Sequence, residues 1–353
     1  MSYTTLASTD FVVSSDAITA PAWSTNSPVL STFYTGSPAV SSTITSDAFY
    51  LNVYQTSSAA VGSAVQFSIA YGHAYGSGSQ YYNPLVSGVT PTYTTYKQYK
   101  NLVYGPFVTA SQGFNFGGSN TNSRYIYAIN VDRNRYKESL LPGSFNLFLS
   151  ASGGTIQLTD NSNNSTVISY LDCGRVFNIV SGSNGYASTS IPTNSTQAGY
   201  TASGSYGLFL PDIGTIILNP AALALPAVYG GIAMTVDETS NPSTPYSCVS
   251  NTNLFNAISQ SANFQLSSYE TISSDYVFVR IQNAQYNYSS NPTFTSGSQG
   301  GLVYPILINS PQTYITTVGL YNNNNDLLAV AKLSVPLVKD FTKEALIRVK
   351  LDW

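Results

Sequence analysis

The feature that most constrains this chain is its shortage of charge. Only 8% of its 353 residues are Asp, Glu, Lys or Arg, whereas about 25% is usual in globular proteins. Hydrophobic residues nevertheless make up 43% of the chain, with 28 tyrosines and 16 phenylalanines. Intrinsic disorder requires low hydrophobicity together with high net charge, so the composition excludes it. Uncharged polar residues must therefore solvate the surface of a folded protein.

The charge balance also limits the partners of the chain. A net charge of −3 over this length makes no basic field, which argues against nucleic acid. The longest apolar stretches, such as 221–234, are too short and too interrupted by Pro and Gly to span a bilayer. The N-terminus lacks the pattern of a signal peptide. We expect a protein made in a reducing cytoplasm, with Cys173 and Cys248 as unpaired thiols and a single disulfide as the alternative.

Short strand-like runs between Gly, Ser and Asn clusters recur along the chain. Tyr, Thr, Val and Phe favour strands, and strong helix formers are scarce. The sequence therefore predicts an all-β fold of antiparallel, sandwich-like or barrel-like domains with long polar loops and at most one or two short helices. The best helix candidate is 251–265, where Leu254, Ala257, Ile258 and Ala262 follow helical spacing.

Three segments are predicted along the chain. Residues 1–38, rich in Ser, Thr and Pro, form an extended arm or a ragged terminus. Residues 39–300 form the main β domain, with a long polar insertion near 181–207. Residues 301–353 form a C-terminal docking module, separated by the Gly/Ser run that ends near Gly300.

The docking module has the clearest local pattern. Two strand-like runs, 313–321 and 326–333, flank four consecutive asparagines that suit the positive φ of a hairpin loop. The final segment alternates apolar and charged residues, which predicts an amphipathic strand with Ile347, Val349 and Leu351 on one face. Its charged side chains predict a specific contact with a neighbouring protein. The candidate docking residues are Lys339, Lys343, Arg348, Lys350 and Trp353.

The sequence offers little material for catalysis. His73 is the only histidine, and it is expected to be structural or to lie on the surface. The carboxylates are dispersed, and adjacent ones such as Asp237 and Glu238 would face opposite sides of a strand. No phosphate-binding glycine motif precedes a helix. We therefore predict a protein without catalytic residues, metal or cofactor.

Two tyrosine clusters remain as candidate binding surfaces. They occupy 71–84 and 92–105, and the second also fits a two-sided strand. Aromatic faces beside polar groups suit subunit interfaces and sugar stacking, and we favour the interface. The candidate residues are Tyr71, Tyr75, Tyr81, Tyr82, Tyr93, Tyr96, Tyr99 and Tyr104.

Three segments carry a resemblance to a known group of proteins. Residues 135–163 and 170–185, together with the closing segment 310–353, resemble structural proteins of contractile-tailed phages, especially those that infect marine cyanobacteria. The resemblance covers about half of the chain and transfers no functional residue. It implies a virion location, in the tail or baseplate.

The expected function is therefore a non-catalytic structural component of a tailed-phage virion. Its partners would be other virion proteins and copies of itself, through aromatic and Asn/Ser/Thr-rich surfaces. A tail adhesin that binds a receptor or a host glycan is one alternative, and a head-associated capsid or decoration protein is another. A polysaccharide-degrading tailspike is a more distant one.

Overall fold

A computed structural model describes residues 3–35, 50–76, 92–106, 113–117, 122–164, 167–189, 204–236 and 249–352. The chain is mostly strand, with large antiparallel sheets and few helices, which confirms the predicted all-β class. It divides into two compact units. Unit 1 comprises Met1–Ala17 and Thr271–Trp353, and unit 2 comprises Ile18–Glu270. Two strands, β1 (Phe11–Pro21) and β16 (Ser267–Ile281), have residues in both.

Unit 2 is built on one antiparallel sheet of 13 strands. Its order is β2-β15-β8-β9-β11-β13-β14-β6-β5-β4-β3, with β10 and β12 paired to β11. The strands are β2 (Val29–Leu30), β3 (Tyr34–Thr35), β4 (Tyr50–Tyr54), β5 (Val65–His73), β6 (Tyr125–Val131), β8 (Asn146–Ala151), β9 (Gly154–Asp160), β10 (Ser169–Leu171), β11 (Gly174–Ser183), β12 (Tyr186–Ala187), β13 (Gly207–Leu210), β14 (Thr215–Leu218) and β15 (Phe264–Gln265). The short β7 (Ser139–Leu140) pairs with β16.

The centre of this sheet is buried on both faces. In β6, Ile129 belongs to one hydrophobic cluster and Ala128 to a second, and in β14 the neighbours Ile216 and Ile217 divide in the same way. Antiparallel sheets commonly leave one face in water, and they then alternate apolar with polar residues. Because both faces are covered here, β13 and β14 are buried at every residue.

The helix α3 (Val249–Ser261) covers one face and confirms the predicted helix. Leu254, Ala257 and Ile258 are buried in the larger cluster, as their spacing indicates. The helix ends at Ser261 because Ala262 adopts a positive φ of 51°. The chain then enters β15 directly, so the last residues of the predicted helix are strand instead.

The helix α1 (Thr92–Tyr104) covers the other face, so the strand interpretation of this segment was wrong. Tyr96, Tyr99 and Val103 pack into the second cluster at helical spacing. Gly105 follows the helix with a φ of 77°, the left-handed conformation that commonly closes helices. Tertiary burial therefore outweighs the low helix propensity of tyrosine and threonine. The short α2 (Pro220–Ala224) is a third helix of unit 2.

An ion pair connects the turn between β13 and β14 to the strand β11. The carboxylate of Asp212 accepts hydrogen bonds from the backbone N and from Nε and Nη2 of Arg175, at 2.7, 2.9 and 2.5 Å. Arg175 Nη2 also donates to Ser139 Oγ at 3.1 Å. Burial by itself would raise the pKa of Asp212, but the hydrogen bonds and charge of Arg175 more than offset it, so the pKa lies below its ordinary value.

This pairing predicts a pH-dependent contribution to stability. A carboxyl group whose pKa is lowered by folding stabilises the fold above its unfolded pKa, about 3.9, and this contribution is lost as pH falls through the folded-state pKa. Asp212→Asn should cost about 2 kcal/mol at pH 7. Urea unfolding of both proteins from pH 7 to pH 2.5 should show this difference constant to about pH 5 and shrinking below about pH 4. A difference that does not change with pH would exclude the ionic origin.

Unit 1 consists of two layers of β-strands. One layer is the sheet order β1-β16-β21, in which the final strand β21 (Ala345–Asp352) pairs antiparallel with β16. The other is the hairpin of β19 (Gln312–Tyr321) and β20 (Leu327–Asp340). Side chains from both layers, among them Val277, Val349 and Leu333, form one cluster. The smaller elements are β17 (Thr295–Ser296), β18 (Gly301–Leu302) and α4 (Ile306–Asn309).

The predicted C-terminal hairpin and amphipathic final strand are confirmed. The asparagines connect β19 to β20, and Asn325 has a φ of 62°. In β21, Ile347 and Val349 are buried whereas Arg348 and Lys350 are exposed.

The division of the chain differs from the predicted one. It falls at Thr271 rather than near Gly300, because β16 pairs with β21 along eight residues and draws the intervening segment into the same unit. The prediction of an extended arm is wrong for residues 18–35, which belong to unit 2. Trp23 and Leu30 are 2% and 1% exposed in its core.

Candidate functional site

The tyrosine clusters are largely internal. Tyr71, Tyr96 and Tyr99 are buried, so they form no stacking surface. The Tyr96 hydroxyl donates to Ser123 O at 2.6 Å, and burial raises the pKa of Tyr96 to about 12. The Tyr99 hydroxyl accepts a hydrogen bond from Asn130 Nδ2. These tyrosines belong to the hydrophobic clusters of unit 2.

The other candidate tyrosines are dispersed. Tyr104 is half-buried, and its hydroxyl accepts a hydrogen bond from Asn115 N. Tyr75 and Tyr93 are 62% and 39% exposed. The guanidinium of Arg124 lies 4.9 Å from the centre of the Tyr75 ring. Tyr81 and Tyr82 lie outside the described residues.

His73 has a structural position, which is one of its two predicted placements. The side chain is buried, and its ring stacks on that of Tyr125 with centroids 6.1 Å apart and an interplanar angle of 6°. Its Nδ1 accepts a hydrogen bond from Tyr75 N at 3.1 Å. The imidazole is thus part of the local packing at the end of β5.

The predicted docking residues separate into exposed and buried ones. Arg348 and Lys350 are exposed on β21 and lie over the Tyr276 ring. Lys350 pairs with Asp352 at 3.0 Å, and Lys343 pairs with Asp340 at 3.3 Å. Trp353 lies outside the described residues.

Lys339 is a correction to that set, because its side chain is fully buried. Its ammonium donates three hydrogen bonds, to Asn283 O at 2.9 Å, Asn287 Oδ1 at 2.9 Å and Asp340 O at 2.7 Å. An ammonium group has three donors, and all three are used. Lys339 therefore ties the segment after β16 to the end of β20 and takes no part in a surface contact.

The hydrophobic core of unit 1 is small. In its described part, the buried hydrophobic residues are Val277, Ile281, Ile347 and Val349. The side chains packed around them are only partly buried. A small domain depends on a core large enough to offset the conformational entropy lost on folding. Four fully buried aliphatic side chains are few for a unit of this size.

Unit 1 also exposes large apolar side chains. The outer face of the hairpin carries Tyr314, Leu328 and Val330, which are 63%, 69% and 58% exposed. Val335, at a register shift in β20, is 73% exposed. We call these four residues the apolar hairpin surface. The inner row of β20, including Ala331 and Leu333, packs against the core. The outer face of the hairpin thus combines these exposed apolar side chains with the exposed polar residues Lys332 and Ser334, whereas a sheet face in water is normally polar throughout.

Further exposed apolar groups occur elsewhere in unit 1. In β1, Phe11, Val12 and Val13 are between 46% and 62% exposed. Ile306 and Ile308 of α4 are 74% and 69% exposed. More than half of the exposed large hydrophobic side chains of the described chain lie in unit 1, which is much the smaller unit. Large apolar side chains exposed in this number favour an interaction surface on unit 1.

The sequence did contain the signal for this surface. In β20, the run LLAVA places apolar residues at consecutive positions, not only at alternating ones. A hairpin with one solvated face does not need this pattern. The tyrosine clusters and the charged C-terminal residues do not indicate this surface, whereas the consecutive apolar run does.

Three further observations concern metal binding, membrane-spanning helices and the two cysteines. No group of three or more His, Cys, Asp and Glu side chains with metal-site geometry occurs among the described residues. Within the same residues, no helix combines the length and hydropathy needed to cross a membrane. Cys173 is half-buried, and burial raises the pKa of its thiol, whereas Cys248 lies outside the described residues.

The fold and the surface define an antiparallel all-β protein in which unit 2 has a large hydrophobic core and unit 1 has a small one with many exposed apolar side chains. Comparison of the chain with protein-family models, with curated proteins and with solved structures finds no match.

Proposed function

We propose that the chain is a non-catalytic structural subunit of a tailed-phage virion that assembles with further copies of itself through unit 1. The observation that carries the assembly role is the contrast between the small core of unit 1 and its apolar hairpin surface. Burial of this surface against a neighbour supplies the apolar burial that the isolated unit lacks. The resemblance of residues 135–163, 170–185 and 310–353 to phage structural proteins supports the virion location.

Two properties favour a second copy of the chain as the partner. Unit 1 contains six basic and seven acidic side chains, so identical units have little net charge with which to repel each other. In addition, β1 and β21 form the ends of their sheet order, and the hairpin has only two strands. Unpaired strand edges provide backbone donors and acceptors for a neighbouring strand.

The assembly role predicts a concentration-dependent oligomer. The full chain should associate in sedimentation velocity and in size-exclusion chromatography with light scattering. Leu328→Asp combined with Val330→Asp should weaken this association at least about tenfold, because each change places a charge in an apolar contact. Both side chains are exposed, so the stability of the isolated chain should change by less than about 1 kcal/mol.

A matched control is Val61→Asp, a fully exposed valine in unit 2. This variant should associate like the unchanged protein. A chain that stays monomeric at high concentration, or a Leu328/Val330 double variant that associates normally, would refute assembly through the hairpin. The particle location is tested separately. Mass spectrometry of separated heads and tails should find the protein with the tails, and its recovery with heads would favour a capsid or decoration role.

A further inference from the structure

A groove of about 730 Å³ lies on unit 2, away from the residues considered so far. Its sides are formed by β9, by the hairpin of β11 and β12, and by the loop at 227–231. Tyr206 contributes to the lining, and its hydroxyl donates to Gly230 O at 2.6 Å. The volume falls within the range of small-molecule binding sites, about 300–1,000 Å³. The groove is therefore large enough for an extended ligand.

The hairpin beside the groove is held rigidly. Asn184 and Gly185 connect β11 to β12 with φ values of 51° and 79°, as in the two-residue Asn-Gly turn that favours tight hairpins. A Cβ at position 185 would lie 2.6 Å from Asn163 Nδ2, so a larger residue would displace the Asn163 amide that holds the turn.

Hydrogen bonds from the sheet fix this turn on several sides. Asn146 exchanges two with Asn184, accepting from its N at 2.8 Å and donating to its Oδ1 at 2.8 Å. Asn163 Nδ2 donates to Asn184 O at 2.8 Å, and Gly185 N donates to Thr159 Oγ1 at 2.8 Å. These hydrogen bonds fix the backbone of the turn and therefore the backbone of the residue that follows it.

That residue is Tyr186, which lines the groove and is 57% exposed. Its ring contributes little to the core, yet the backbone that carries it is fixed. Because the backbone is already ordered, a ligand that stacks on this ring has to immobilise only the two side-chain torsions of the tyrosine. The geometry is therefore that of a stacking platform for a ligand.

The lining of the groove restricts the chemistry of that ligand. Its described part consists of hydroxyl, amide, backbone and apolar groups, including Thr155, Gln157 and Ser183, and none of these described lining residues is charged. Gln157 Nε2 donates to Asn146 Oδ1 at 3.1 Å, which orients the amide. Phosphates, carboxylates and ammonium groups would lose their hydration here without a counter-charge. A neutral ligand with many hydroxyl groups and an apolar ring face suits the lining.

We propose that this groove binds an uncharged saccharide chain, which stacks on Tyr186 and forms hydrogen bonds with Thr155, Gln157 and Ser183. The site is independent of the proposed assembly role, since its residues belong to unit 2 and the apolar hairpin surface belongs to unit 1. It also differs from the tyrosine clusters that the sequence suggested for glycan stacking.

The test uses the fluorescently labelled full chain on an array of neutral oligosaccharides, with sialylated and sulfated oligosaccharides for comparison. The protein should bind neutral saccharides and not charged ones. Tyr186→Ala should weaken binding about tenfold or more, as expected for the loss of one stacked aromatic ring. Tyr186→Phe retains the ring face and should preserve most of the binding.

The matched control is Tyr170→Ala, because Tyr170 is 68% exposed in the same unit but does not line the groove. Near-ultraviolet circular dichroism checks that each variant is folded. Absence of binding to neutral saccharides, preference for charged ones, or equal binding by Tyr186→Ala and the unchanged protein would overturn the proposal. Each of these results leaves self-association unaffected, so the two functions fail independently.

Discussion

Replacement of Trp23 by alanine is expected to destabilise unit 2 by about 3–5 kcal/mol. The indole is 2% exposed and packs against Phe67 and Phe264, with ring centroids 6.1 and 4.9 Å away. Its Nε1 donates to Pro28 O at 3.1 Å and to Phe264 O at 3.0 Å. The alanine variant loses this packing and leaves both carbonyls without that donor. Urea unfolding followed by near-ultraviolet circular dichroism measures the change.

The same experiment tests whether residues 18–35 belong to the folded unit. Tyr34 is 47% exposed in the same segment, so Tyr34→Ala should change stability by no more than about 0.5 kcal/mol. If the segment were a free arm in solution, both variants would behave like the unchanged protein. Equal and small effects at Trp23 and Tyr34 would therefore contradict the fold of this region.

Replacement of Lys339 by methionine should destabilise unit 1 by at least about 3 kcal/mol. Methionine has a similar length but no donor, so Asn283 O, Asn287 Oδ1 and Asp340 O all lose their hydrogen bond. The hydrogen bond to Asp340 O is buried and the other two are partly buried; a buried acceptor left without a partner costs about 1–3 kcal/mol, and loss of the other two bonds adds about 0.5–1.5 kcal/mol each. Hydrogen exchange measured by mass spectrometry should show faster exchange in peptides of β19, β20 and β21, with unit 2 unchanged.

Lys332→Met is the matched control, since Lys332 is exposed on the same strand. It should leave hydrogen exchange as in the unchanged protein. If Lys339→Met also had no effect, the three hydrogen bonds of the ammonium would contribute nothing to stability. The result also bears on deletion experiments, because removal of residues 339–353 takes away Lys339 and β21 together. Such a deletion would remove part of the core of unit 1 and would not isolate a surface contact.

Sequence patterns predicted the fold in segments where the local preference of the residues and their burial favour the same structure. The β19–β20 hairpin and the amphipathic β21 follow from two-residue periodicity and a loop of asparagines. The helix α3 follows from the spacing of Leu254, Ala257 and Ile258. In each case, local preference and burial point to the same structure.

Prediction failed where distant contacts decided the outcome. Residues 92–104 alternate plausibly as a strand, but the second face of the large sheet had to be covered, and Tyr96, Tyr99 and Val103 do so as a helix. Trp23 lies in a Ser/Thr-rich segment, and its burial depends on Phe264, far away in sequence. The Asn184-Gly185 dipeptide is a hairpin signal, but it lies in the segment 181–207, whose polar composition predicts a loop insertion.

The candidate sites likewise depend on contacts with distant residues, which local sequence patterns do not show. Exposed tyrosines and buried tyrosines have the same sequence signal, so the clusters at 71–84 and 92–105 could not be separated into core and surface. Lys339 looked like a surface charge because an isolated lysine usually is one. Only the three oxygens that surround its ammonium account for its burial, and two of them come from residues more than fifty positions away.

The arrangement of the units along the chain has a consequence for synthesis on the ribosome. Unit 2 is continuous from Ile18 to Glu270, whereas unit 1 requires residues on both sides of it. Because domains generally fold as units while the chain emerges, unit 2 can acquire its structure well before β21 has been translated. The sheet of unit 1 closes only after that last strand is available. The apolar hairpin surface that we propose for assembly is therefore completed only after unit 2.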